Sequence, residues 1–385
     1  MRILHVINSL LVGGAERSLV HSAKALEALD CEVEVCTIFH GGPFADEIRA
    51  AGLQVHNLGV DPGFAQFRAS RKYDPRSVPR LARLINRGRY DIVHSHLFPT
   101  NYITAAARLV CRGPRFVVTE HNVFNRRRRG RIFRVLESAL YSRYDAIVAV
   151  SAEVGESLAA WQPQVAPRML VIPNAVQIEE GRSRSAAAEK LRTALGLEQA
   201  ESIVLFVGRL EHPKGPDILL SALPALFAAR PRARALFVGD GSMRQQCNEL
   251  LVELSLTDKA TLLGARKDIR DLMALADLVV LPSRWEGLPL TLLEALAMAT
   301  PVVATNVGGV ANVVNQAEAG WIVPPNDTDA LACALTKALS DPGSRAVRGR
   351  KGQAFVAERH AVSAGAEAHV DLYNNLTGLS TPHAR

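Results

Sequence analysis

Short runs of β-branched and apolar residues alternate with helical stretches from the first residue to about residue 340. That alternation constrains the fold more than any other feature, because a parallel strand is reached only through a crossover and the usual crossover is a helix. In the first half the strand candidates are Ile3 to Ile7, Val33 to Ile38, Val55 to Leu58, Ile92 to His94, Phe116 to Thr119 and Ala146 to Val150. The second half repeats the pattern with Ile203 to Gly208, Ala235 to Gly239, Thr261 to Leu263, Leu278 to Pro282, Val302 to Thr305 and Gly320 to Val323. At 385 residues the chain exceeds what one hydrophobic core usually serves. An α/β architecture is therefore expected, with two doubly wound domains facing a central cleft. The boundary is placed near Asn174, giving domains 1–174 and 175–361. The helical period of Val362 to Leu376 has no strand of its own to cover, so the tail 362–385 is expected to pack elsewhere.

Apolar residues make up 48% and charged residues 22%, which excludes a disordered chain. The N-terminal run Ile3 to Ile7 is too short for the apolar region of a signal peptide, and no charge-free stretch reaches bilayer length. The five cysteines are scattered without a CxxC pair, so neither a disulfide framework nor a zinc cage is suggested, and a cytoplasmic compartment is expected. The net charge of +7 is concentrated: Arg126, Arg127, Arg128, Arg129, Arg131, Arg134 and Arg143 stand against Glu137 alone, a local balance of +6. Ile132, Val135, Leu136, Ala139 and Leu140 recur there at helical spacing. Two readings stand, a stripe that covers the sheet and a peripheral face for an anionic membrane surface through Arg126 to Arg143. Aromatic interleaving is missing, so nucleic acid is not the expected partner.

The densest chemistry lies in Leu281-Pro282-Ser283-Arg284-Trp285-Glu286-Gly287-Leu288-Pro289 and the helix that follows to Glu294 and Ala295. Glu286 in the turn and Glu294 in the helix can accept hydrogen bonds from paired hydroxyls of a sugar or ribose, and the backbone amides of Gly287 and Leu288 are expected to open a helix N-terminus. Phe206-Val207-Gly208-Arg209-Leu210-Glu211-His212-Pro213-Lys214-Gly215 also ends a strand. Arg209 and Lys214 there suit a diphosphate leaving group, or are two solvated surface cations. Gly13-Gly14 opens a helix where backbone approaches a phosphate, or is a plain strand-to-helix turn. His121 follows a strand, as do His94 and His96 one strand earlier. An HxH pair can bind metal, but no third ligand is visible at a matching strand end, so no metal is expected. Asp327-Thr328-Asp329 reads as a helix cap.

Gly13-Gly14-Ala15-Glu16, Val207-Gly208-Arg209 with Lys214-Gly215, Val238-Gly239-Asp240-Gly241, Glu286 and Glu294 with seven residues between, and Val307-Gly308-Gly309 together resemble the retaining, nucleotide-sugar-dependent glycosyltransferases of the GT-B fold, often called group 1 or family 4. The resemblance runs from residue 1 to about 376. It implies two Rossmann-like domains, the first for the acceptor and the second for the donor, with the C-terminal helix crossing back to the first. It also implies roles. Arg209 and Lys214 would hold the donor diphosphate, Glu286 would contact the transferred sugar, and Glu294 would bind the ribose. Gly287 and Leu288 would meet sugar or phosphate, the base would lie near Ala265 and Arg266, His121 would stand beside the reacting sugar, and Gly14 would close over the phosphates. The family often carries Glu where this chain has Asn312, which removes a charged contact.

The expected activity is transfer of a sugar from a nucleoside diphosphate to an acceptor hydroxyl, with retention and without a metal or other cofactor. A saccharide or lipid-linked saccharide acceptor in polysaccharide or lipopolysaccharide assembly fits this best. An epimerase on the same scaffold, or a nucleotide- or sugar-binding module without catalysis, are the alternatives.

Overall fold

In a computed structural model the described residues are 1–59, 74, 76–123, 130–178, 186–197 and 202–379. The chain divides into two compact units, Met1–Gln177 together with the stretch from Val362 onward, and Ile178–Ala361. The first unit holds β1 (Arg2–Ser9), β2 (Glu32–His40), β3 (Gln54–Asn57), β4 (Ile92–His96), β5 (Arg115–Glu120), β6 (Ala146–Ala149) and β7 (Met169–Val171), in the order β3-β2-β1-β4-β5-β6-β7. The second holds β8 (Ser202–Val207), β9 (Ala233–Val238), β10 (Ala260–Gly264), β11 (Leu278–Leu281), β12 (Val302–Thr305) and β13 (Gly320–Val323), in the order β10-β9-β8-β11-β12-β13. Every pairing is parallel. All twelve expected strands are present. The short edge strand β7 was not expected.

Helices cover both faces of such sheets, which is why the central strands are apolar on both sides. All six residues of β8 are buried. In each sheet the chain moves outward one way, returns to the middle, and then moves outward the other way. The reversal falls between β1 and β4 in the first sheet and between β8 and β11 in the second. Loops leaving the carboxyl ends of those strand pairs diverge and leave a crevice, the usual ligand site of doubly wound sheets.

The C-terminal helix Val362–Thr377 places Ala366, Val370, Leu372 and Tyr373 in the same core cluster as Ile3, Leu19 and Val117, so it belongs to the first unit. The arginine-rich helix behaves differently from a core helix. In Arg131–Tyr141 the residues Leu140 and Tyr141 are buried, whereas Ile132, Val135 and Leu136 are 73%, 70% and 52% exposed. The stripe therefore covers the sheet only at its end, and its larger apolar part faces outward. Arg126 to Arg129 lie outside the described residues. No helix among the described residues is long and apolar enough to cross a membrane.

Candidate functional site

Lys214 and Glu286 meet at the reversal point of the second sheet. Lys214 follows β8 and Glu286 follows β11, and these neighbouring strands bring Lys214 Nζ within 2.5 Å of Glu286 Oε1. The Ser283 hydroxyl donates to the same carboxylate oxygen at 2.8 Å. Arg284 ties the two segments together further, its guanidinium donating to the His212 carbonyl at 2.9 Å. The Arg284 amide donates to the Pro213 carbonyl at 2.8 Å, and the Arg284 guanidinium grips both carboxylate oxygens of Asp217 at 2.9 and 2.6 Å. Burial raises the Asp217 pKa, but the hydrogen bonds and charge of Arg284 outweigh it and hold the carboxyl below its ordinary value.

Two glycines let these loops approach. Gly215 has φ +64°, and a Cβ there would lie 2.2 Å from the Pro282 carbonyl oxygen. Gly239, at φ +135°, would place a Cβ 1.9 Å from the Gly208 oxygen, so no side chain fits between the β8 and β9 loops. Arg209 is exposed at the end of β8. Glu294 is half-buried in the helix Leu290–Ala297, while Gly287 and Leu288 are buried in the loop ahead of it. They do not open the helix: Pro289 is its N-cap, so the orphan amides of the first turn begin with Leu290. Ala265 and Arg266 follow β10, where Arg266 pairs with Asp268 at 2.5 Å. Asn312 is exposed and accepts a hydrogen bond from Gln316 at 2.7 Å.

In the first unit, Gly14 begins the helix Gly14–Glu27 after β1, and a Cβ on Gly14 would meet nothing within 4 Å. His121 follows β5 and lines a cavity with Ser18, His96, Asn174 and His369. Burial pushes the His121 pKa down to about 4, so its ring is neutral near pH 7. His96 and His121 stack obliquely, with ring centroids 5.8 Å apart. Asp327 caps the helix Thr328–Ser340 through the Ala330 amide at 2.8 Å, as its position suggested.

Sequence reasoning missed Ser283, the Asp217 to Arg284 clamp and His5. Ser283 was visible three residues before Glu286 in the motif itself. The clamp joins residues far apart in sequence and had no local signal. His5 sits inside β1, opposite His94 on β4, where a single polar residue in an apolar run marks a buried contact.

The profile described as Glycosyl transferases group 1 matches residues 187–355, and that described as Glycosyltransferase Family 4 matches residues 12–180. A D-inositol 3-phosphate glycosyltransferase of Nocardia farcinica is 30% identical over 368 residues, covering 86% of this chain and 77% of the relative. A UDP-Gal:alpha-D-GlcNAc-diphosphoundecaprenol alpha-1,3-galactosyltransferase of Escherichia coli is 28% identical over 70% of this chain and 71% of its own. Among solved structures, Anabaena Alr3699/HepE in complex with UDP-glucose aligns with a TM-score of 0.84 at 24% identity, over 98% of this chain and 100% of that one. That likeness carries the fold, which is GT-B.

Proposed function

The chain belongs to the group 1 glycosyltransferases of family 4, and from that premise we propose that it transfers a sugar from a nucleoside diphosphate sugar to an acceptor hydroxyl with retention of configuration. The observation that carries the reading is the Lys214 to Glu286 pair at the reversal point of the second sheet, since one cation and one acid there serve a diphosphate and a sugar respectively. Arg209 and Lys214 hold the diphosphate and supply the positive charge that a divalent ion supplies in other transferases. Glu286 contacts the transferred sugar, Glu294 the ribose, Gly287 and Leu288 the sugar or phosphate, and Ala265 and Arg266 the base. Gly14 lets the first helix of the chain approach phosphate oxygens, and the neutral His121 ring offers one donor and one acceptor to sugar hydroxyls. The relatives named for UDP-galactose and crystallised with UDP-glucose support a uridine donor.

The acceptor in this reading is a lipid-linked saccharide met at the cytoplasmic membrane face. Support comes from the outward apolar residues Ile132, Val135 and Leu136 within an arginine-rich segment, and from a relative named for a diphosphoundecaprenol acceptor. Incubation with UDP- and GDP-sugars and a polyprenyl-diphosphate saccharide, read by proton NMR of the new anomeric linkage, tests the assignment. A linkage with the donor's anomeric configuration supports it. An inverted linkage overturns retention, and donor epimerised without an acceptor overturns transfer.

A further inference from the structure

The first unit gathers an unusual number of imidazoles in its core. His5 on β1 lies in register with His94 on β4, and His96 shares the same face two residues on. All three are buried, and their candidate ligand nitrogens lie within 4.8 Å of one another. We propose that His5, His94 and His96 form a binding site for a borderline transition-metal dication of the zinc class, separate from the donor site of the second unit. His5 is the third imidazole that the spacing of His94 and His96 did not reveal.

The geometry of the cluster carries this. A tetrahedral ion with nitrogen ligands at about 2.0–2.1 Å holds those nitrogens roughly 3.3 Å apart. His5 Nδ1 and His96 Nε2 stand 3.0 Å apart, and the three candidate ligand nitrogens all lie within 4.8 Å of one another. The hydrogen bond between His5 and His96 uses one nitrogen of each ring, and those same two nitrogens are the ones that would turn to the ion.

One ring nitrogen of His94 meets the Tyr373 hydroxyl at 2.6 Å and the other the Thr119 hydroxyl at 2.7 Å, so coordination requires one hydroxyl to turn away while the other keeps the ring oriented. Three nitrogens with no carboxylate in the set favour zinc, cobalt, nickel or copper over magnesium or calcium.

The test is independent of the transfer reaction. Chelator-treated, dialysed protein is titrated with Co²⁺ and followed by visible absorption, with Zn²⁺ as competitor. One equivalent should bind with the intense bands of tetrahedral cobalt. His5→Asn and His96→Asn should each weaken binding by about 10-fold or more, while His383→Asn, outside the described residues, leaves it unchanged. Folding of each variant is checked by circular dichroism. Contact-shifted imidazole N–H resonances in the cobalt-loaded wild type provide a readout that needs no substitution. Absence of stoichiometric binding, binding unaffected by both core substitutions, or cobalt spectra without shifted imidazole signals overturns the proposal and leaves a hydrogen-bonded imidazole cluster.

Discussion

Lys214 and Glu286 neutralise one another across the point where the second sheet reverses its strand order, with 2.5 Å between Nζ and Oε1. Under the proposed function, a diphosphate entering this loop pair would compete with Glu286 for Lys214, and the released carboxylate would act on the sugar while Ser283 still holds one of its oxygens. That one contact would couple the grip on the leaving group to the position of the acid.

Glu286→Gln should lower turnover by about 100-fold or more while changing nucleoside diphosphate affinity little, because the carboxylate acts on charge that develops in transfer. Glu294→Gln should do the reverse, raising the donor Kd with a smaller effect on turnover. Steady-state kinetics beside calorimetric binding of UDP and GDP separates the two. Loss of nucleotide affinity in the Glu286 variant alone would exchange the roles.

Gly14→Ala and Gly239→Ala should part company. Space around Gly14 is open, and Ala is favoured over Gly in a helix by up to about 1 kcal/mol, so the fold should tolerate the methyl while donor affinity falls. At Gly239 the positive φ costs about 1–3 kcal/mol for any side chain, before the clash with the Gly208 oxygen is counted. Thermal melting should drop for Gly239→Ala and hold for Gly14→Ala. Unchanged donor affinity in a folded Gly14→Ala protein would remove this glycine from the phosphate site.

Much of this was legible in the sequence. β-branched runs marked twelve strands because parallel strands buried on both faces must be apolar throughout. β7 escaped because it has three residues, and Leu170 and Val171 are 42% and 47% exposed, with neither a buried run nor an alternation to betray it. The loops bearing Arg209, Lys214 and Glu286 could be placed at strand ends from their glycines and prolines. Their contacts could not, since Lys214 meets Glu286 and Arg284 meets Asp217 only after β8 and β11 pair. Gly287 and Leu288 were set at a helix start that Pro289 delays.

Acid should loosen the second unit through Asp217. Its folded pKa lies below the ordinary 3.8, so its stabilising contribution is complete above that value and is lost as the pH falls through the lower folded one. Asp217→Asn should cost about 1.5–3 kcal/mol near neutral pH, the worth of charged hydrogen bonds. Urea unfolding of wild type and variant at about pH 7 and at about pH 3 should show the gap narrowing in acid. A constant gap would mean that the Arg284 contact does not depend on the Asp217 charge.

Membrane docking should need both halves of the arginine-rich segment. Each basic residue near an anionic leaflet is worth about 1 kcal/mol, so changing Arg126, Arg127, Arg128 and Arg129 to Ser should release the protein from anionic vesicles at moderate salt. Changing Ile132, Val135 and Leu136 to Ser should weaken vesicle binding with little loss of stability, because all three are exposed. Co-sedimentation with anionic and neutral vesicles decides it. Equal binding by wild type and both variants would point to a soluble acceptor.

Calorimetric titration of wild type, Arg209→Ala and Lys214→Ala with UDP-glucose and GDP-mannose tests the donor site most directly. Wild type should bind one of the two donors. Each substitution should weaken that binding by about 10- to 100-fold, the equivalent of about 1.5–3 kcal/mol per charged contact, with melting of the exposed Arg209 variant unchanged. Donor affinity equal in all three proteins would contradict the assignment of the Lys214 to Glu286 site.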